Sequence, residues 1–204
     1  MLLTLVRHGE TLCTRRRLYS GASDVPLILS SFSKLLQYRG KNLYPLADHY
    51  YTSGMKRTEQ TLWAIYGNVA HDNIPALAEM NFGEFEGKSY DELRYNPNYI
   101  KWITGDNEKN VCPGGESGEQ VTLRSMAALE KIIASNVESV VVTHGGIIGG
   151  AMNCFFPNKN GRFEYTPKPG SGFTIEFADG KPLRYRKIPT AELNWVYAEK
   201  MQNN

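Results

Sequence analysis

Short apolar runs alternate with segments of helical periodicity along this chain, and no other feature restricts its fold so strongly. Leu2 to Val6 and Ser139-Val140-Val141-Val142-Thr143 read as buried strands, since such runs are short and lack a polar face. Strands separated by helical patterns favour a parallel sheet with crossover helices. The first strand spans 2–7, and a basic, turn-rich loop from Thr14 to Pro26 leads into a helix from about 30 to 38. Asp48 to Ser53 reads as a second strand, and Ser53-Gly54 begins a helix running through Trp63 to Tyr66, with Arg57 in its first turn. Ile74 to Leu77 reads as a short strand or extended piece ending in Ala78-Glu79.

The segment 80–116 is the least regular, with Gly83, Gly87, Pro97, Gly105 and Pro113-Gly114-Gly115 breaking short helical stretches near 89–95 and 98–103. It reads as an excursion over one end of the sheet within a single domain spanning 1–204. Glu116 to Ser135 has strong helical periodicity, with Val121, Leu123, Met126, Leu129, Ile132 and Ile133 on its apolar face. A helix from Ile147 to Phe155 follows His144-Gly145-Gly146. Phe173 to Phe177 and Leu183 to Ile188 form a strand pair around Ala178-Asp179-Gly180-Lys181-Pro182.

Bulk properties narrow the classes of function. A formal net charge of +2 over 204 residues commits no face to nucleic acid, so no nucleic-acid partner is expected. Cys13, Cys112 and Cys154 are odd in number and lack C-x-x-C spacing, which argues against a disulfide framework or zinc knuckle and for a reducing, cytoplasmic setting. Met1 leads directly into a five-residue apolar strand, too short for a signal-peptide core, and no run approaches the roughly 18 residues of a membrane span.

The polar residues that end these strands are the informative ones. Arg7 and His8 close the first strand, Arg57 opens the helix after the second, Glu79 ends the extended piece, and His144 closes a later strand. Parallel strands put their C-terminal ends on one edge, where open α/β sheets bind ligands, so these groups can converge although 136 positions separate the histidines. Imidazole attacks phosphorus, and guanidinium offers a planar fork of donors to phosphate oxygens. The helices after Ser53 and His144 would aim free N–H groups at the same edge, with Gly145 and Gly146 leaving room for an anion.

Six motifs in order now carry a family resemblance: Leu5-Val6-Arg7-His8-Gly9-Glu10-Thr11, Tyr19 to Leu27, Ser53 to Thr61, Glu79 to Gly87, Pro113-Gly114-Gly115-Glu116-Ser117, and Thr143-His144-Gly145-Gly146. The chain resembles branch one of the histidine phosphatase superfamily, the phosphoglycerate-mutase-like proteins. That resemblance implies an α/β three-layer sandwich, a mostly parallel central sheet with helices on both faces. It implies His8 as the nucleophile that forms a phosphohistidine. Arg7, Arg57 and His144 would bind the phosphoryl oxygens, and Glu79 would protonate the leaving oxygen and then activate water. Thr14, Ser20, Gly21 and Gly145 are further candidates for substrate contact. Fixed cationic groups do what a metal does elsewhere, so neither metal nor cofactor is expected. His8 must stay neutral at its attacking nitrogen, which calls for a carbonyl or carboxylate on the other one.

Two positions depart from the family pattern. Thr14 stands where an asparagine is usual six positions after the nucleophile, and Ile28-Leu29-Ser30-Ser31 replaces a Thr-x-x-Gly pattern. His49 and His71 match no motif and read as structural or solvent-facing. Arg15-Arg16-Arg17 reads as a solvated run and Cys13 as an inert buried thiol, while Tyr90, Tyr95 and Trp102 read as packing in the roof of the pocket. The implied activity is hydrolysis of a small phosphate monoester, with α-ribazole phosphate, sugar phosphates, phosphoglycerates and nucleotides as family substrates. Phosphoglycerate mutation is the alternative, and a non-catalytic anion-binding module a third. Hydrolysis is favoured by the short excursion, by Phe82-Gly83 in place of the mutases' Tyr-Gly, by Gly146 in place of their Asn, and by the lack of a locatable second anion site. The intact set of Arg7, His8, Arg57, Glu79 and His144 argues against the third.

Overall fold

A computed structural model of the chain describes residues 1–106, 108–190 and 194–198; residues 199–204, the end of the 1–204 span, lie outside the described residues. Seven strands occur among them: β1 (Leu2–Arg7), β2 (His49–Thr52), β3 (Asp72–Asn73), β4 (Ser139–Thr143), β5 (Gly172–Ala178), β6 (Lys181–Ile188) and β7 (Val196–Tyr197). They form one sheet in the order β3-β2-β4-β1-β5-β6-β7. β1 pairs in parallel with β4, as do β4 with β2 and β2 with β3. The expected hairpin is β5–β6, and β5 runs antiparallel beside β1. A crossover made of helices separates the parallel strands, whereas a tight turn suffices for the antiparallel pair.

Among the described residues seven α-helices accompany the sheet: α1 (Leu12–Arg16), α2 (Leu29–Gly40), α3 (Lys56–Tyr66), α4 (Tyr90–Leu93), α5 (Pro97–Ile103), α6 (Gly118–Ala134) and α7 (Gly145–Phe155). Period-two alternation splits the core between the two faces of the sheet. Leu3, Leu5 and Val141 pack with Leu129 and Ile132 of α6 and Ile148 and Met152 of α7. Val6, Val140 and Val142 pack with Leu35 of α2 and Leu62 and Ile65 of α3. Helices therefore cover both faces, which is the expected three-layer α/β arrangement.

Local chemistry explains where the elements depart from the sequence reading. The first part of the basic loop is helical, because Thr11 and Thr14 form a reciprocal capping box at the start of α1, and Arg17 ends it at φ 55°. Gly54 at φ +80° delays α3 to Lys56. Ile74 to Leu77 is not a strand: β3 ends at Asn73, and Pro75 opens a 3-10 turn over Pro75–Leu77. Two further such turns, Gly83–Phe85 in the excursion and Gly161–Tyr165 after α7, were not foreseen. In α6 the buried stripe is Val121, Ser125, Ala128, Leu129, Ile132 and Ile133. Leu123 does not belong to that face: two residues on from Val121 it is turned about 200° around the axis and is 75% exposed.

The excursion is held by aromatic packing. Phe85 is edge-on to Tyr99, which neighbours Trp102, and Tyr19 from the loop after α1 packs edge-to-face against Tyr99 and Trp102 and tilted against Phe82. Tyr99 and Trp102 are buried in this cluster, as packing residues should be, while Tyr90 and Tyr95 are exposed.

The β1–β5 pairing leaves no room for a side chain at Gly172. A Cβ placed on Gly172 would lie 1.8 Å from the Leu5 carbonyl oxygen. Gly172→Ala should therefore force β5 away from β1 and cost about 3 kcal/mol, read from urea denaturation. A loss below about 1 kcal/mol would mean that the strand pair yields more freely than its geometry indicates.

Candidate active site

Parallel register sets the site. Arg7 faces Thr143 across β1 and β4, so His8 and His144 leave adjacent strand ends side by side. The His8 amide donates to the Thr143 carbonyl at 2.9 Å, and the two rings meet edge to face with centroids 5.2 Å apart. Both side chains are buried.

The His8 tautomer follows from one contact. Its Nδ1 lies 2.7 Å from the Gly9 carbonyl oxygen, and a carbonyl only accepts, so Nδ1 carries the proton and Nε2 is bare. This is the carbonyl partner that the sequence argument called for. Burial pushes the His8 pKa down to about 3, and the Arg57 and Arg7 charges reinforce the shift. His144 is held well below its ordinary value by burial first, and then by His8, Arg57 and Arg7. Arg57 Nε donates to His144 Nδ1 at 3.3 Å, which leaves the proton on Nε2, 2.8 Å from Ser53 Oγ.

The two arginines are fixed by carbonyls. Arg57 donates through Nη1 to Ser23 O at 2.7 Å and through Nη2 to Gly21 O at 2.8 Å. Arg7 Nη1 donates to Pro167 O at 2.7 Å, and its Nε is buried with no partner among the described residues. Glu79 is anchored from the other side: its Oε2 accepts from the Gly146 amide at 3.1 Å and its Oε1 from the Met80 amide, also at 3.1 Å.

A cavity of about 150 Å3 opens among Arg7, His8, Thr11, Thr14, Leu18, Tyr19, Ser20, Arg57, Glu79 and Phe82. Ser20 Oγ, like Arg7 Nε, is a buried donor without a partner. Unpaired buried donors cost free energy unless something fills their place. Arg7, His8, Arg57, Glu79 and Ser20 thus line one cavity, with His144 directly behind His8. Among the described residues no group of three or more His, Cys, Asp or Glu side chains is arranged to hold a metal ion.

Three of the other candidates have different surroundings from those expected. Thr14 lines the cavity, but its hydroxyl donates to Thr11 O at 2.9 Å and accepts from the Thr11 amide at 2.7 Å, so it is already engaged as the helix cap. Gly21 does not line it. A Cβ there would lie 1.5 Å from the Met80 carbonyl oxygen, so glycine is required for two loops to meet. Gly145 does not line it either: a Cβ would come within 3.0 Å of the Arg7 guanidinium carbon, and the glycine makes room for that side chain. The α7 amide at Gly146 serves Glu79, and the α3 amide at Lys56 is taken by Asp24 Oδ1 at 2.7 Å.

Glu86 was missed as a site-building residue although it stands in the Glu79–Gly87 motif. Its Oε1 accepts from the amides of Gly21, Ala22 and Phe82, and its Oε2 from the Ser23 hydroxyl at 2.6 Å. Burial pushes its carboxyl up, but the Ser23 hydroxyl and these amides outweigh burial and hold it below the ordinary range. The loop carbonyls that grip Arg57 belong to the residues whose amides Glu86 binds. Cys13 is half-buried and outside the lining; Cys112 and Cys154 are likewise free thiols.

The histidine phosphatase superfamily (branch 1) model matches residues 3–183, and the chain belongs to that family. It is 31% identical over 156 residues to the metal-independent phosphoserine phosphatase of Arabidopsis thaliana, a match covering 72% of this chain and 65% of that protein. Among solved structures it is similar to the alpha-ribazole phosphatase of Shigella flexneri, with a TM-score of 0.80 at 21% identity, covering 89% of this chain and 93% of that one. A phosphoglycerate mutase of Thermus thermophilus has the same fold, with a TM-score of 0.68 at 25% identity over 91% of this chain and 98% of that one.

Neutral buried histidines have a measurable consequence. Between the folded His8 value of about 3 and the ordinary value of 6.5 the unfolded chain binds more protons, so this contribution leaves stability intact above pH 6.5 and erodes it as pH falls. Ring 15N resonances of His8 should stay those of a neutral, Nδ1-protonated imidazole well below pH 6.5. A midpoint near that ordinary value of about 6.5 would contradict the geometry.

Proposed function

We propose that this protein is a metal-independent phosphatase that hydrolyses a small phosphate monoester through a phosphohistidine on His8. The observation that carries the reading is the bare His8 Nε2, fixed by the Gly9 carbonyl in a cavity lined by Arg7 and Arg57. Nε2 attacks phosphorus, the bond from phosphorus to the leaving oxygen breaks, and protonated Glu79 delivers its proton to that oxygen. Arg7, Arg57 and Ser20 receive the charge on the phosphoryl oxygens, which suits a reaction governed by positioning and electrostatics. His144, which the resemblance cast as a phosphoryl ligand, stands outside the cavity lining with its ring nitrogens on Arg57 and Ser53. In the second half Glu79, now a carboxylate, takes a proton from water. The water oxygen bonds to phosphorus, the P–Nε2 bond breaks, and inorganic phosphate leaves with His8 neutral again.

Hydrolysis is favoured over mutation by the charge of the cavity. Arg7 and Arg57 are the cationic side chains in its lining, which suffice for one phosphoryl group. A mutase must hold a bisphosphorylated intermediate and needs a second anion site. The phosphatase names among the relatives agree with this reading.

Phosphate release from a panel of metabolite monophosphates, in EDTA and beside a His8→Ala control, tests it. Release should persist in EDTA and vanish in the variant. Wild-type release from His8→Ala would refute the nucleophile, and loss in EDTA restored by a divalent ion would refute the metal-free mechanism. Glu79→Gln should slow turnover about 100-fold while leaving substrate binding near normal, measured as kcat against KM.

A further inference from the structure

Glu79 does its proposed work from a segment that belongs to no strand, and its backbone is fixed from α6. Arg124 lies on that helix, whose rotation is set by the buried stripe from Val121 to Ile133. Its Nη1 donates to Ala76 O at 2.7 Å and to Ala78 O at 2.8 Å, and its Nη2 to Glu79 O at 3.1 Å. The same guanidinium meets Glu116 with both oxygens, Nε to Oε1 at 2.8 Å and Nη2 to Oε2 at 2.9 Å. Glu116 Oε2 in turn accepts from the Asn81 amide at 2.9 Å. A guanidinium has five N–H donors, and here five acceptor oxygens receive them. Three are carbonyls leading up to and including Glu79, and the carboxylate completes the loop two residues beyond it.

We infer that Arg124, locked to Glu116, is the positioning residue that holds Glu79 at proton-transfer distance from the leaving oxygen. The inference rests on the reading of Glu79 as general acid and base. Neither Arg124 nor Glu116 lines the cavity, so neither touches substrate. An ordinary surface ion pair would join two side chains and be worth little. This one joins α6 to backbone on both sides of a single carboxylate-bearing residue, whose side chain is otherwise held by the Gly146 and Met80 amides. A general acid must lie within hydrogen-bond reach of the atom it protonates, and small displacements are costly. A lysine at 124 has three donors and no planar fork, so it cannot replace the arginine.

The test compares two substrates. An alkyl phosphate needs a proton on its leaving oxygen, whereas p-nitrophenyl phosphate, with a stable leaving anion, does not. Arg124→Gln should lower kcat/KM, which reports the steps up to departure of the leaving group and not the later hydrolysis common to both substrates, about tenfold or more on the alkyl phosphate and under about threefold on the nitrophenyl ester. Arg124→Lys and Glu116→Gln should show the same selectivity more weakly, and they carry the test if circular dichroism shows that Arg124→Gln fails to fold. In a Glu79→Gln background, Arg124→Gln should add less than about a twofold loss, since both act through one group. Equal losses on both substrates, or a full loss in that background, would reduce Arg124 to general scaffolding and overturn the inference while leaving Glu79 in its role. If Glu79→Gln itself treats both substrates alike, the acid reading fails and the inference with it.

Discussion

The parallel pairing of β1 with β4 is the constraint on which the rest of the site depends. These strands are distant in sequence, yet their register from Leu3↔Ser139 to Arg7↔Thr143 brings two strand ends level. One residue beyond each lies a histidine. A one-residue slip would swap Leu5 and Val6 between the two core clusters on opposite faces and carry His8 away from His144. Core packing and site geometry thus enforce each other. The apolar alternation that buries Leu3, Leu5, Val140, Val141 and Val142 also sets the spacing between the imidazoles.

Burying two arginines and two histidines together would be ruinous if all four were charged. The chain avoids this by two means. The histidines are neutral, driven there by burial and by the neighbouring guanidiniums. The arginines keep their charge by donating to Pro167, Ser23 and Gly21 carbonyls, which satisfy N–H groups without neutralising them. A carboxylate in direct contact would have cancelled the field. Glu86 instead binds the amides of the loop whose carbonyls hold Arg57, so its charge orients the loop without contacting the guanidinium. Arg7 and Ser20, whose Nε and Oγ have no partner among the described residues, both line the same small cavity.

How much of this could be read from the sequence depends on how local the cause is. Strand ends were legible because apolar runs stop at them; Arg7, His8 and His144 stand out because each sits at such an end, and Arg57 because it opens the helix that follows one. Reciprocal caps and positive-φ glycines shifted boundaries by a few residues, as at Gly54 and Thr11. Contacts across long separations were not legible. The Pro167 carbonyl that fixes Arg7 lies 160 positions away, and the Ser23 hydroxyl that Glu86 receives lies 63 away. Gly21 and Gly145 were visible as special positions, but composition cannot tell a glycine that admits a ligand from one that admits another part of the chain. Leu123 failed for a different reason: hydrophobicity alone widened the apolar stripe beyond the angle that α6 buries.

The division of labour between rigid and irregular parts follows from the same physics. The arginines proposed to receive charge are carried by the end of β1 and the first turn of α3, where sheet and core fix their positions. Glu79, proposed to give a proton to one oxygen and take one from another, lines the same cavity from a segment outside the strands. That position lies beyond the sheet, where no ladder can hold the backbone. Thr143 Oγ1 bonds the Leu77 carbonyl at 2.7 Å, and the Arg124 fork takes the carbonyls that follow. Side-chain donors thereby replace the missing strand partner, giving an irregular segment the positional precision that the chemistry demands.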